Sequence, residues 1–169
     1  MSISLFLKEM AEEVLTILPD SRLSLRLRRR YWTGQLRTGS CPLVIAKYAS
    51  FKNPSHILFG RSVVSTYTII DATCGEGIEI GNDVSIGPFC TIICFDHVFS
   101  DRSKPIRQQG YTGGKIVIED DVWIGSHVVV TKGVTIGRGS IIGAGSVVTR
   151  DIPPCSVAAG VPARVIRTR

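Results

Sequence analysis

The chain has 169 residues, 44% hydrophobic and 20% charged, which suits one folded domain with a small appendage and excludes an intrinsically disordered chain. Its net charge of +6 fits an anionic partner such as a nucleotide-bearing cofactor, a membrane surface or nucleic acid, without choosing among them. No apolar run is long enough to span a bilayer, and Lys8, Glu9, Glu12 and Glu13 interrupt any leader-like stretch, so a cytoplasmic protein is expected.

Residues 1–45 read as a helical and irregular segment. Ile3, Leu7, Met10, Val14, Leu15 and Leu18 recur at three- and four-residue steps, which predicts a helix over 3–18 that Pro19 ends. A second, basic helical piece is predicted over 21–31, with Leu23 and Leu27 sharing one face. Its Arg22, Arg26, Arg28, Arg29 and Arg30 form either a solvated face or a weak peripheral membrane contact. Gly34, Gly39 and Pro42 then break the chain.

Over 46–156 the period changes. Ile80, Ile86 and Ile92 fall six apart, and the step resumes at Ile118, Ile124, Val130, Ile136, Ile142 and Val148. Gly81, Gly87, Gly125, Gly137 and Gly143 follow several of them, and a fifth place holds Val84, Cys90, Val122, Val128, Val134, Ser140, Ser146 and Ile152. Six is neither a helical nor a simple strand period; it is the beat of a parallel β-helix, an all-β solenoid in which three hexads make one triangular coil. The first place should point inward, and glycine at the second should turn the corner with dihedrals other residues avoid. Upstream the signal is weaker: Phe51, Ile57, Val63 and Ile69 keep the step, and Arg61 fits a corner. The frame slips between Asp71 and Ile80, so Thr73–Gly77 should bulge, and four to five coils are expected, beginning between Ala46 and Phe59.

Residues 97–114 hold no hexads and carry Pro105, Gly110, Gly113 and Gly114, as expected of an extended loop thrown out from one corner. His97 opens it. Five cysteines show no Cys-x-x-Cys pair and read as free thiols in a reducing compartment, with no metal site.

The stretches Ile118–Ser126, Gly133–Gly137, Gly143–Thr149 and Ala159–Arg167 resemble the hexapeptide-repeat acetyltransferases, in the branch of galactoside and maltose O-acetyltransferases and related polysaccharide-modifying enzymes. The resemblance covers roughly residues 57–167. It implies a left-handed parallel β-helix, a homotrimer with active sites between neighbouring prisms, acetyl-CoA as donor with no metal, and a sugar acceptor; no nucleic acid partner is expected. It makes His97 the general base, because a sugar hydroxyl is too weakly acidic to attack a thioester unaided. His56 and His127 are expected to be structural, exposed or interfacial.

The same resemblance assigns Trp123 to a wall of the acceptor or thioester pocket, or else to subunit packing. Ser126 and Ala144 would line the donor's pantetheine arm, with a backbone N–H near Ser126 as oxyanion donor. Thr149 and Arg150 would lie along its nucleotide end, and Arg164 and Arg167, in a C-terminal tail over 157–169, near its phosphates unless they are ordinary surface charge. Thr66, in Ser65-Thr66-Tyr67, stands where those O-acetyltransferases use an asparagine to position the acceptor, which leaves the acceptor open. Transfer to an amino-sugar nitrogen and a non-catalytic β-helix scaffold are the alternatives. A γ-class carbonic anhydrase would need three clustered histidines, whereas His56, His97 and His127 lie far apart.

Overall fold

A six-residue beat makes strands of two or three residues, too short to stand alone, so each must pair one turn further along the chain. In the computed structural model, which describes residues 3–38 and 43–169, they do so as three parallel sheets forming the faces of a prism. The first face stacks Arg37–Thr38, Ile57–Phe59, Ile78–Ile80, Ile116–Ile118 and Thr135–Ile136. The second stacks Val44–Ile45, Val63–Val64, Ser85–Ile86, Trp123–Ile124, Ile141–Ile142 and Ser156–Gly160, with Ala163–Thr168 folded back antiparallel on the last. The third stacks Ser50–Lys52, Ile69–Asp71, Thr91–Ile93, Val129–Val130 and Val147–Val148. The fold is a parallel β-solenoid with a short N-terminal helical region.

The register brings like residues over one another. Ile86, Ile124 and Ile142 align on the second face, and Ile92, Val130 and Val148 on the third, all essentially without exposure. The core is therefore a column of branched aliphatic side chains along the prism axis, each held by backbone hydrogen bonds to the coils on either side.

Three expectations need correction. The coils start before Ala46, since Arg37–Thr38 and Val44–Ile45 already pair with the second coil. The upstream frame also shifts: Val64 and Ile70 point inward at 0% exposure, while Val63 and Ile69 stand outward at 41% and 40%. The turn from Phe59 to Val64 is one residue short, and in extended backbone one residue reverses which side chain faces the core. Finally, the second-place glycines do not adopt positive φ. A Cβ on Gly125 would lie 2.6 Å from the Ala144 nitrogen, and one on Gly87 2.8 Å from Gly125, so close approach between coils excludes a side chain there. The left-handed dihedrals fall at the fourth place, on Asp83, Phe89, Asp121, His127, Gly133, Gly139 and Gly145.

Helix α1, Ile3–Ile17, and helix α2, Arg22–Thr33, cover one end. Ser21 caps α2 by accepting from the Ser24 nitrogen, with the Ser24 hydroxyl reciprocating on the Ser21 nitrogen. Arg28 does not belong to a solvated or membrane-facing run: it is 1% exposed and donates to the Leu15 carbonyl at 2.8 Å, the Asp20 carboxylate at 2.6 Å and the Leu18 carbonyl. It thus satisfies carbonyls left open where α1 ends. Trp32 packs on Phe51 at 4.7 Å and closes the base of the prism. Leu23 and Leu27, with Arg22, Arg26, Arg29 and Arg30, stay exposed. The breaks expected at Gly39 and Pro42 lie outside the described residues. No described helix is long and apolar enough to cross a membrane.

Candidate active site

The segment after the third coil is not an irregular loop at its base. Phe95–His97 and Tyr111–Gly113 form an antiparallel ribbon in which His97 faces Tyr111. The Tyr111 ring lies 4.5 Å from the imidazole and 5.5 Å from Phe95, so the aromatic pair fixes the direction of the exposed His97 side chain. Lys132, from the coil above, anchors the ribbon with an ion pair to Asp96 at 3.4 Å and a contact to the Thr112 carbonyl at 3.5 Å.

The expected bulge over Thr73–Gly77 buttresses the ribbon's foot. A Cβ on Gly75 would lie 2.6 Å from the Cys94 carbonyl, and Gly113 meets Gly75 backbone to backbone, so neither position admits a side chain. Beyond the ribbon the chain folds on itself. Gln109 donates to the Asp101 and Lys104 carbonyls at 2.8 and 2.9 Å and accepts from the Asp101 nitrogen at 3.0 Å. The Ser103 hydroxyl and backbone N–H both donate to Asp101, with Lys104 beside them, and hold its carboxyl below the usual carboxylate range.

The structure gathers a second group at the corner between the second and third faces. Thr66, Pro88, Ser126 and Ala144 hold equivalent places in successive coils. The Phe89 nitrogen donates to the Thr66 carbonyl, that of His127 to Pro88, and that of Gly145 to Ser126, at 3.0, 3.0 and 2.8 Å. Trp123 stands just before this corner on the second face, 57% exposed between Ser85 and Ile141. Above it the terminal hairpin sets Arg164 opposite Ala159, itself packed over Gly143, and Arg167 opposite Val157. Arg164 donates to the Ala163 carbonyl and Arg167 to the Thr168 carbonyl, and among the described residues neither guanidinium pairs with a carboxylate, so their charge is open to an anion.

Thr149 and Arg150 are brought to a different edge. They follow Val147–Val148 and, like Lys132 and the His97 ribbon, lie where the third face turns into the first. The candidate residues thus fall into two groups on opposite edges of the third face: His97, Lys132, Thr149 and Arg150 on one, and Thr66, Ser126 and Ala144 on the other, with Trp123 and Arg164 beside them. Two hollows lie away from both groups, one lined by Glu12, Glu13, Thr16, Ile17 and Ser50, another by Glu79, Glu119, Asp120 and Arg138.

Sequence reasoning missed Lys132 and Tyr111, which join His97 only through pairings distant in sequence. Among the described residues no group of three or more His, Cys, Asp or Glu side chains could hold a metal ion. Cys74, Cys90, Cys94 and Cys155 are free thiols, and burial pushes those of Cys90 and Cys94 up.

Residues 115–150 match the family described as bacterial transferase hexapeptide (six repeats). The galactoside O-acetyltransferase of Escherichia coli is 44% identical over 124 residues, covering 69% of this chain and 56% of that protein. A maltose O-acetyltransferase from Clostridium difficile superposes with a TM-score of 0.83 at 29% identity, covering 96% of this chain and 84% of that one. A galactoside acetyltransferase in complex with coenzyme A does so with a TM-score of 0.80 at 32% identity, covering 99% and 84%. The chain spans about half the length of the curated relatives it matches, from 39 to 61%. With its hexad prism, its ribbon-borne histidine and these likenesses, the chain belongs to the hexapeptide-repeat acetyltransferase family.

Proposed function

We propose that the protein transfers the acetyl group of acetyl-CoA to a hydroxyl of a sugar or cell-surface polysaccharide precursor, with His97 as general base. The observation that carries this reading is an exposed imidazole on a braced ribbon, in a chain similar over 99% of its length to a galactoside acetyltransferase that binds coenzyme A. Neutral imidazole accepts the hydroxyl proton as the sugar oxygen attacks the thioester carbonyl. The tetrahedral intermediate collapses, the C–S bond breaks, and the imidazolium returns its proton to the departing thiolate. A backbone N–H near Ser126 is the candidate oxyanion donor.

Two half-sites on opposite edges of one face support a homotrimer in which the His97 edge of one prism meets the Ser126–Ala144 corner of its neighbour. The donor's arm then runs past Ser126 and Ala144 toward Arg164 and Arg167, with Thr149 and Arg150 contributed along its nucleotide end. Trp123 walls the acceptor side, and Thr66 faces the acceptor. Leu23 and Leu27 among exposed arginines support a weak contact with an anionic membrane, which co-sedimentation with phosphatidylserine vesicles tests.

An acetyl-CoA-dependent screen of sugars and nucleotide-sugars, read by mass spectrometry, tests the function. Acetyl ester on a sugar oxygen is the expected product; an acetamide on a sugar nitrogen, or no turnover with any acceptor, overturns it.

A further inference from the structure

Four rings climb the corner between the second and third faces, one from each of the first four coils: Tyr48, Tyr67, Phe89 and His127. Their centroids are 4.6, 4.9 and 4.8 Å apart, and their planes lie within 18°, 6° and 4° of parallel. Each residue has φ between 56° and 60°, so all four side chains leave the corner in the same direction and meet face to face at the spacing of the coils. The lower end of the ladder is closed. Lys47 Nζ sits 5.6 Å from the Tyr48 centroid, and the Tyr48 nitrogen donates to the Thr16 carbonyl of α1.

The upper end is open. In the fifth coil the equivalent residue is Gly145, with φ of 71°, and among the described residues no atom beyond its two chain neighbours lies within 4 Å of where its Cβ would be. The upper face of the exposed His127 imidazole therefore looks onto a gap one rung high. Ala144 borders that gap, and one coil further up the Gly160 nitrogen donates to Ser146 at 3.1 Å at the turn of the hairpin that carries Arg164. A flat group in the gap would have an imidazole beneath it and a cationic hairpin above.

We infer that this rung is a stacking slot for a flat group of the acyl donor, either an amide plane of its arm or its purine, seated on His127 and kept open by Gly145. The inference rests on the proposed use of acetyl-CoA. A conjugated plane on an aromatic face gains contact beyond simple area burial, and a glycine at this rung leaves room for it that any ring would fill. A side chain at this positive φ carries some backbone strain, but Tyr48, Tyr67, Phe89 and His127 bear it at φ of 56–60° against 71° for Gly145, so the fold tolerates a ring here. Gly145→Phe should therefore extend the ladder without unfolding the prism.

Calorimetric titration of coenzyme A into the full chain and its variants tests this, with the thermal midpoint as folding control. Gly145→Phe should stay folded, with a midpoint only slightly lowered by backbone strain, and weaken coenzyme A binding at least about tenfold; His127→Ala should weaken it about three- to tenfold, and His127→Phe should restore it. Titrations with pantetheine and with adenosine 3′,5′-bisphosphate identify the seated group, since only the fragment that stacks loses affinity in Gly145→Phe. Unchanged coenzyme A affinity in a folded Gly145→Phe protein overturns the slot and leaves the donor intact. Absence of coenzyme A binding to the unsubstituted protein overturns donor and slot together.

Discussion

Ile69 and Ile70 are neighbours of identical chemistry on the third face, and the prism assigns them opposite fates. Ile70 is fully buried between Phe51 and Ile92, whereas Ile69 is 40% exposed between Ser50 and Thr91. Ile70→Ala removes three buried carbons, about 2.4 kcal/mol of transfer free energy at about 0.8 kcal/mol each. A residual cavity brings the loss to about 2–5 kcal/mol, because the stacked coils above and below cannot collapse into it. Ile69→Ala leaves no cavity and should cost less than about 1 kcal/mol. At about 2–4 °C per kcal/mol for a chain of this size, Ile70→Ala should melt at least about 4 °C below the parent and well below Ile69→Ala. Both variants are compared at one protein concentration, since assembly makes the midpoint concentration-dependent. Equal midpoints, or a reversed order, would refute the inward frame, and with it the short turn between Phe59 and Val64.

The site yields further expectations. Lys132→Met removes the tie to Asp96 and Thr112, so kcat should fall about tenfold as the ribbon loosens while the KM for acetyl-CoA changes little; an unchanged kcat would show that the tie does not position His97. Replacing Arg164 and Arg167 together with alanine should raise the KM for acetyl-CoA more than about tenfold with a smaller effect on kcat, and an unchanged KM would move the phosphates elsewhere. Asp101 has its carboxyl held low by Ser103, so its bracing of the loop is complete above the ordinary value of 3.8 and is lost as pH falls through the lowered one. The backbone amide resonances of Ser103 and Gln109 should stay in place down to that ordinary value and shift only in stronger acid; an earlier shift would contradict the assigned hydrogen bonds.

Much of the prism was legible because its coils repeat. From Ile80 onward the six-residue step marks the inward residues, with Ile86, Ile92, Ile124 and Ile142 all buried. The step failed upstream because one turn is a residue short, and a count cannot detect a deletion when Val63 and Val64, or Ile69 and Ile70, are equally apolar. Glycine usage was visible but its cause was not: contact between successive coils excludes a side chain at Gly87 and Gly125, and coil spacing is a property of the folded chain. Arg28 was misjudged for a similar reason. Its partners are backbone carbonyls at the end of α1, and carbonyls leave no mark in a sequence.

Within the site, His97 was conspicuous because it opens the interruption in the repeat. The ribbon that orients it was hidden, since Phe95–His97 pairs with Tyr111–Gly113 across a polar loop without alternating apolar residues. The aromatic ladder was equally hidden: Tyr48, Tyr67, Phe89 and His127 are irregularly spaced in sequence and align only after the bulge at Thr73–Gly77 and the ribbon are looped out.

The most direct test compares the parent with His97→Asn, which preserves shape and removes the base. Acetyl-CoA turnover with the best sugar acceptor is followed alongside coenzyme A affinity. The proposed chemistry requires sugar-oxygen acetylation by the parent, loss of at least about a hundredfold in kcat in the variant, and unchanged coenzyme A affinity. Near-parental turnover by His97→Asn would contradict it.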